Sequence, residues 1–219
     1  NTSNGIHVNV AGIYNYQFSV QFANTSATIY NAYIWLRVNG TDVTQMRSRL
    51  RIGTGVARSF QNIRLMAHLS VLDNLLVGQH IRANRLRDLL TPYRLIPSHR
   101  WKRDALEALD QCGLVDFAHS AVSALPYGVR KVVELARALC SQPRLLLLDE
   151  PSSGLNVEET DDMAFWIRDI RDLLGITVLM VEHDMSLVSR VSDRVLAVNY
   201  GKVLAEGTPA EVQSHPDVI

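Results

Sequence analysis

The stretch LLLLDEPSSGLN, residues 145–156, limits the folds open to this chain more than any other segment of it. A continuous apolar run closed by Pro151, Ser152, Ser153 and Gly154 reads as a strand buried on both faces of a parallel sheet and stopped at once by turn residues. In open α/β sheets ligands lie just beyond the carboxyl ends of the strands. Asp149 and Glu150 stand at that place. Phosphoryl chemistry needs a carboxylate to help hold Mg2+ and another group to orient the attacking water. Two acids at a strand end are consistent with that use, and equally with two solvated side chains.

The surroundings narrow the choice. ITVLMVEHD (176–184) is a second strand-like run, and it ends at His183. RVLAVNYGKVLAEG (194–207) reads as two short strands around Asn199-Tyr200-Gly201, a hairpin signal. Across 158–174, Met163, Trp166, Ile167, Ile170 and Leu174 recur at helical spacing. Strand, helix, strand predicts a parallel crossover. Asp149, Glu150 and His183 then reach the same edge of the sheet. A lone histidine at a strand end is an ordinary polar cap, but one beside a carboxylate pair is a candidate phosphate sensor.

Residues 66–140 read as mostly helical. SHRWKRDALEALDQCGL (98–114) is amphipathic through Trp101, Ala105, Leu106 and Leu109. A helix over 130–140 puts Val132, Leu135, Ala136 and Leu139 on one face. Thr208-Pro209-Ala210-Glu211 is a capping box with proline at the first helical position.

These motifs, in this order, resemble one family. LLLLDEP looks like the Walker B strand of ABC-type ATPases, SGLN like their D-loop and VEHD like their switch-histidine loop. ALPYGVRKVVELARAL (124–139) stands where that family carries its signature sequence. GVARSFQNIRLMAHLSVLDNLLVGQH (55–80) resembles its glutamine loop and the start of its helical subdomain. That block, with the tail GKVLAEGTPAEVQSHPDVI, is most similar to the ATP-binding subunits of branched-chain amino-acid importers. The resemblance covers roughly residues 40–219.

The resemblance implies an α/β fold: a partial P-loop NTPase core with a parallel sheet, an α-helical signature subdomain over 66–140, and a β-rich segment in front. It implies ATP and Mg2+ as cofactors. Asp149 would hold Mg2+ through water, and Gln61 would reach both the ion and the water. Glu150 would be the general base and His183 would contact the γ-phosphate. Leu125, Pro126, Tyr127 and Gly128 would cap the nucleotide bound by a second copy, and Asn156 would cross the dimer interface. The implied partners are transmembrane permease subunits and a second ABC ATPase subunit in a head-to-tail pair. The implied location is the cytoplasmic face of the membrane, reached through those partners. Physics supports the signature role, because the positive end of a helix that follows Gly128 is a natural anion site.

Three departures stand out. The usual Leu-Ser-Gly-Gly-Gln is here Leu125-Pro126-Tyr127-Gly128-Val129, and Asn156 stands where an aspartate is usual. Pro126 lacks both the hydroxyl and an N–H. The largest departure is the phosphate cradle, Gly-x-x-x-x-Gly-Lys-Ser/Thr. GTGVARS (53–59) has no lysine, and Gly201-Lys202 is followed by Val203, so the Walker A loop is absent from these residues.

Residues 1–45 read differently. They hold two charged residues, Arg37 and Asp42, of the 44 in the chain. GIYNYQFSVQF (12–22) alternates with period two and AYIWLRVNGTDV (32–43) contains Asn39-Gly40, so the expectation is antiparallel sheet. The segment resembles pieces of the β-sandwich modules of phage tail and fibre proteins. The expected division is a β-rich segment at 1–40, foreign to the ABC fold, and an ABC ATPase domain at 41–219. A start at Asn1 and a stop at Ile219 inside the tail read as an incomplete gene. Two reading frames joined near VNGTDVTQM, or a natural fusion, would account for the seam.

Composition sets bounds. Lys and Arg number 22 and Asp and Glu 22, so no general attraction to nucleic acid is implied. Cys112 and Cys140 form no metal pattern and read as free thiols. No run of 18 apolar residues is present. Three readings follow: an importer ATPase subunit, truncated or chimeric and inactive by itself; an ABC-type ATPase with a non-transport role; and a non-enzymatic chimeric product carrying a phage structural segment.

Overall fold

Leu145–Asp149 forms the strand that its leucines predict, with Leu146 wholly buried. The computed structural model describes residues 13–19, 37–38, 41–42, 47, 50, 52–59, 63–82, 99–199 and 202–218. In chain order the strands are β1 (Ile13–Ser19), β2 (Arg37–Val38), β3 (Thr41–Asp42), β4 (Val56–Arg58), β5 (Leu145–Asp149), β6 (Thr177–Val181), β7 (Arg194–Asn199) and β8 (Lys202–Gly207). The α-helices among the described residues are α1 (Val71–Gly78), α2 (Arg100–Gln111), α3 (Tyr127–Leu139), α4 (Val157–Asp172), α5 (Met185–Val191) and α6 (Pro209–Gln213).

Among the described residues six strands make one sheet, in the order β4-β5-β6-β1-β7-β8. All pairings are parallel except β7 with β8, which is antiparallel as the hairpin signal predicts. β5 and β6 pair from Leu145 with Thr177 to Asp149 with Val181, and α4 connects them. The expected strand–helix–strand unit is therefore present, and Asp149 and His183 leave the sheet at one edge.

The amino-terminal strand corrects an expectation. Residues 12–22 read as part of an antiparallel layer. Instead β1 lies parallel between β6 and β7, pairing Ile13 with Val178 and Ser19 with Asn199. Period-two alternation fixes which side chains share a face, but it does not fix the direction of the neighbouring strand. Direction comes from the partners. β6 and β7 run the same way, and each needs donors and acceptors for the ladder edge that it turns toward the other. β1 supplies both sets and so shares a sheet with strands from residues 56–207. The Asn39-Gly40 signal does give an antiparallel pair, β2 with β3, in a separate small sheet.

The main core lies on one face of the large sheet. Leu146, Leu148, Val178, Met180, Val195 and Ala197 meet apolar positions of α3, α4 and α5 there. The opposite face carries smaller clusters, Val56 with Leu145 and Leu196 with Val198, and Leu147 is only partly buried. Burial of β5 is thus unequal on its two faces among the described residues. α1 packs against α3 and α2 to form the helical part. α2 buries Trp101, Ala105, Ala108 and Leu109, whereas Leu106 is 39% exposed. Ala108 takes the inward position expected of Leu106, because the stripe advances from 101 through 105 to 108 at helical spacing. The capping box at Thr208 forms, with Pro209 opening α6.

Neither cysteine forms a disulfide, and both are buried. Burial, aided by the neighbouring Cys140, pushes the Cys112 thiol up to about 12. Cys112 should therefore stay neutral at pH 8 and react with iodoacetamide only on unfolding; fast alkylation of the folded chain would contradict its placement. Leu146→Ala should lower the unfolding free energy by about 2–5 kcal/mol in chemical denaturation, because the sheet beneath α3 and α4 has little room to collapse.

Candidate functional site

The parallel register of β5 and β6 ends with Asp149 beside Val181. The next residues of both strands therefore emerge side by side. Glu150 N donates to Val181 O at 2.9 Å, extending the ladder by one bond. The chain then turns sharply, and Glu150 takes a left-handed φ of 46°. That region costs a non-glycine residue roughly 1–2 kcal/mol. Two further bonds hold it. Lys131 Nζ, from α3, donates to Glu150 O at 3.1 Å, and Ser153 N donates to the same oxygen at 3.1 Å. The turn places Glu150 Oε1 3.7 Å from His183 Nδ1. That is beyond a direct hydrogen bond but close enough for both groups to face one ligand. The His183 side chain is 66% exposed and that of Glu150 is 30% exposed. Nδ1 of His183 faces carboxylates, so Nε2, across the ring, lies on the outer side.

Asp149 is not bare. Arg58 Nη2, from the end of β4, donates to Asp149 Oδ2 at 2.7 Å. Both side chains are partly exposed, so the pair contributes about 1 kcal/mol or less, and an arriving cation can displace it. No group of three or more His, Cys, Asp and Glu that could hold a metal occurs among the described residues. The donors fit a hard ion completed by water and phosphate oxygens, as Mg2+ prefers, and not an all-protein cage.

Behind these groups lies Glu182, which is 1% exposed. Its Oε1 accepts from Ser152 N at 2.8 Å and from Ser152 Oγ. Its Oε2 accepts from His183 N at 2.8 Å and Asp184 N at 3.2 Å. Lys131 is buried too, and burial lowers its pKa against the pull of Glu134, Glu182, Glu150 and Asp149.

The other expected site residues form a second group. Leu125 is buried in the main core. Pro126 is the N-cap of α3, which begins at Tyr127, earlier than the expected start. Gly128 therefore lies inside the first turn. Tyr127 lies against the turn after β5: a Cβ at Gly154, whose φ is +78°, would sit 3.0 Å from Tyr127 Cε1. Arg130 Cζ and Lys131 Nζ each lie 5.8 Å from the Tyr127 ring centroid. Gly128 is buried beneath Glu159, and a Cβ there would meet Glu159 Cδ at 2.6 Å. Asn156 caps α4, with Oδ1 accepting from Glu159 N at 2.9 Å and its own N donating to Glu159 Oε2 at 3.0 Å. Lys131 joins this group to the first. Gln61 lies outside the described residues.

Sequence reasoning missed Arg58, Lys131, Ser152 and Glu182. For Glu182 a signal existed. β6 buries Val178 and Met180, and period two carries that face on to Glu182, an acid at an inward position. Arg58 and Lys131 carry no such mark, because their roles depend on which strand and helix come to lie beside β5.

Comparison with known proteins follows the same outline. The ABC transporter family profile matches residues 22–153. A profile described as branched-chain amino acid ATP-binding cassette transporter matches residues 202–219. The chain is 37% identical over 190 residues to the high-affinity branched-chain amino acid transport ATP-binding protein BraF of Pseudomonas aeruginosa, covering 84% of this chain and 73% of BraF. It is 42% identical over 169 residues to LivG of Salmonella typhimurium, which bears the same description, covering 75% of this chain and 66% of LivG. The crystal structure of the ADP conformation of an ATP-binding cassette of an ABC transporter superposes with a TM-score of 0.69 at 26% identity, over 81% of this chain and 72% of that one.

The contact between Gly128 and Glu159 is open to test. Gly128→Ala should displace Glu159 from the capping box and destabilise the chain by about 1 kcal/mol. In a Glu159→Ala background the same change should be neutral or stabilising, since alanine favours helix. A double-mutant cycle by chemical denaturation with additive effects would contradict the packing.

Proposed function

The chain belongs to the ABC transporter family, and from that premise we propose that it is an ATP-binding subunit of an importer for branched-chain amino acids. The observation that carries the proposal is the meeting of Glu150 and His183, 3.7 Å apart, at the carboxyl edge of two paired parallel strands. The names of BraF and LivG supply the substrate class.

In this reading Asp149 would hold Mg2+ once Arg58 is displaced. The ion would neutralise charge on the phosphoryl group as it transfers. Glu150, partly exposed and with its main chain fixed by three hydrogen bonds, would accept a proton from the attacking water. His183 would offer Nε2 to the γ-phosphate, and Gln61, outside the described residues, is assigned to the same water. Pro126 makes no side-chain cap bond at the start of α3. The first amides of α3 therefore suit a phosphate brought by a second copy. Asn156 lies on the same surface. No helix among the described residues is long and apolar enough to cross a membrane, so attachment would run through permease partners.

The residues fit the γ-phosphate end of a nucleotide. The 219-residue sequence contains no Gly-x-x-x-x-Gly-Lys-Ser/Thr to hold the rest of the phosphate chain. The 219-residue polypeptide should accordingly bind ATP weakly and hydrolyse it negligibly. Loss of even one preorganised donor lowers a rate roughly a hundredfold to a thousandfold. A version with residues 1–40 replaced by an ABC amino-terminal segment, supplying a strand in the place of β1 and a phosphate loop, should turn over ATP. Glu150→Gln in that version should abolish turnover and keep ATP bound. Comparable turnover by the unaltered chain, or persistence of turnover in Glu150→Gln, would overturn these assignments.

A further inference from the structure

An acid at an inward position of a strand is costly unless every lone pair finds a donor. Glu182 meets that demand in a divided way. One carboxylate oxygen serves the turn after β5, through Ser152 N and Ser152 Oγ. The other serves the loop after β6, through His183 N and Asp184 N. The second loop leads directly into α5, which Asp184 caps by accepting from Ser186 N at 2.9 Å. The first turn carries Gly154 under the Tyr127 ring and leads to Asn156.

We propose that Glu182 is a positioning residue that fastens the turn 151–154 to the histidine loop, so that His183 and the surface around Gly154 and Asn156 move as one body. The significance of that coupling rests on the reading of His183 as a nucleotide contact; the fastening itself does not. Each oxygen accepts two bonds from one loop, so both cannot be satisfied if either loop withdraws. A push on the turn from a docked second copy would therefore reach the backbone of His183 through Glu182 and alter its approach to Glu150. Ser152 bonds Glu182 Oε1, whereas the His183 ring faces Glu182 Oε2 and Glu150 Oε1, so an effect of Ser152 on that ring passes through the shared carboxylate or the adjoining strand ends.

The test uses the 219-residue chain without nucleotide. Amide hydrogen exchange at Ser152, His183 and Asp184, and the ring nitrogen shifts of His183, are compared in the parent, Glu182→Gln and Ser152→Ala, with thermal midpoints measured beside them. Glu182→Gln presents an NH2 to one of the loops and should speed exchange at all three amides by roughly tenfold or more. Ser152→Ala should shift the His183 ring resonances and speed its amide exchange several-fold. Acceleration confined to one loop in Glu182→Gln, or an unchanged ring and exchange within about twofold at His183 in Ser152→Ala, would overturn the proposal. Should Glu182→Gln fail to fold, Ser152→Ala decides alone. No ATP is involved, so a negative result here leaves the nucleotide reading standing, and a failed ATPase test leaves the fastening standing.

Discussion

The register of β5 against β6 is the constraint on which the rest depends. Side chains alternate along a strand, so a slip by one residue would turn Leu146 and Leu148 away from the helices and bring Leu147 inward. The same slip would break the bond from Glu150 N to Val181 O, on which the left-handed turn is built. It would also withdraw Glu182 from Ser152. Hydrophobic burial along the middle of the two strands thus sets, at their ends, the meeting of Glu150 with His183. The core and the site are consequences of a single pairing.

Charge is arranged around that pairing with little waste. Lys131 and Glu134 lie on the buried side of α3, one turn apart, and Glu182 lies under the strand ends. Burial raises the pKa of Glu134, while Arg64 N, Arg137 and Lys131 oppose the shift. Arg137 in turn donates to Arg64 O at 2.7 Å, tying α3 to the segment before α1. These buried groups add modestly to stability, since desolvation offsets much of their attraction. What they supply is direction: α3 has one way to sit in which Lys131 finds Glu150 O and Glu134 finds Arg64 N.

The sequence revealed what burial and local spacing decide. Four leucines made β5, the 3.6-residue repeat made α4, and Thr208 with Glu211 made the cap of α6. Asp149, Glu150 and His183 were legible because strand ends and motif order mark them. Three of the misses share one cause. Arg58, Lys131 and the parallel direction of β1 depend on neighbours brought from elsewhere in the chain. Leu106 was misplaced because alanine, a weak hydrophobic signal, holds the inward position at 108. Asn156 was read for a partner molecule, and within this chain its side chain is engaged in capping α4.

The place of β1 bears on the order in which the polypeptide can assemble. Ile13 pairs with Val178 and Tyr14 with Arg194, so the first strand of the sheet lies between two of the last. During synthesis the helical part and β4 emerge long before either partner of β1. The early strand must wait, with both ladder edges open, until residues near 199 have left the ribosome. Contacts so distant in sequence carry a large loop-closure entropy and slow the final step. The exposed strand is meanwhile a template for other chains. Alternation of Tyr14, Tyr16 and Phe18 with Asn15, Gln17 and Ser19 in β1, in place of a continuous greasy run, makes that waiting strand less adhesive.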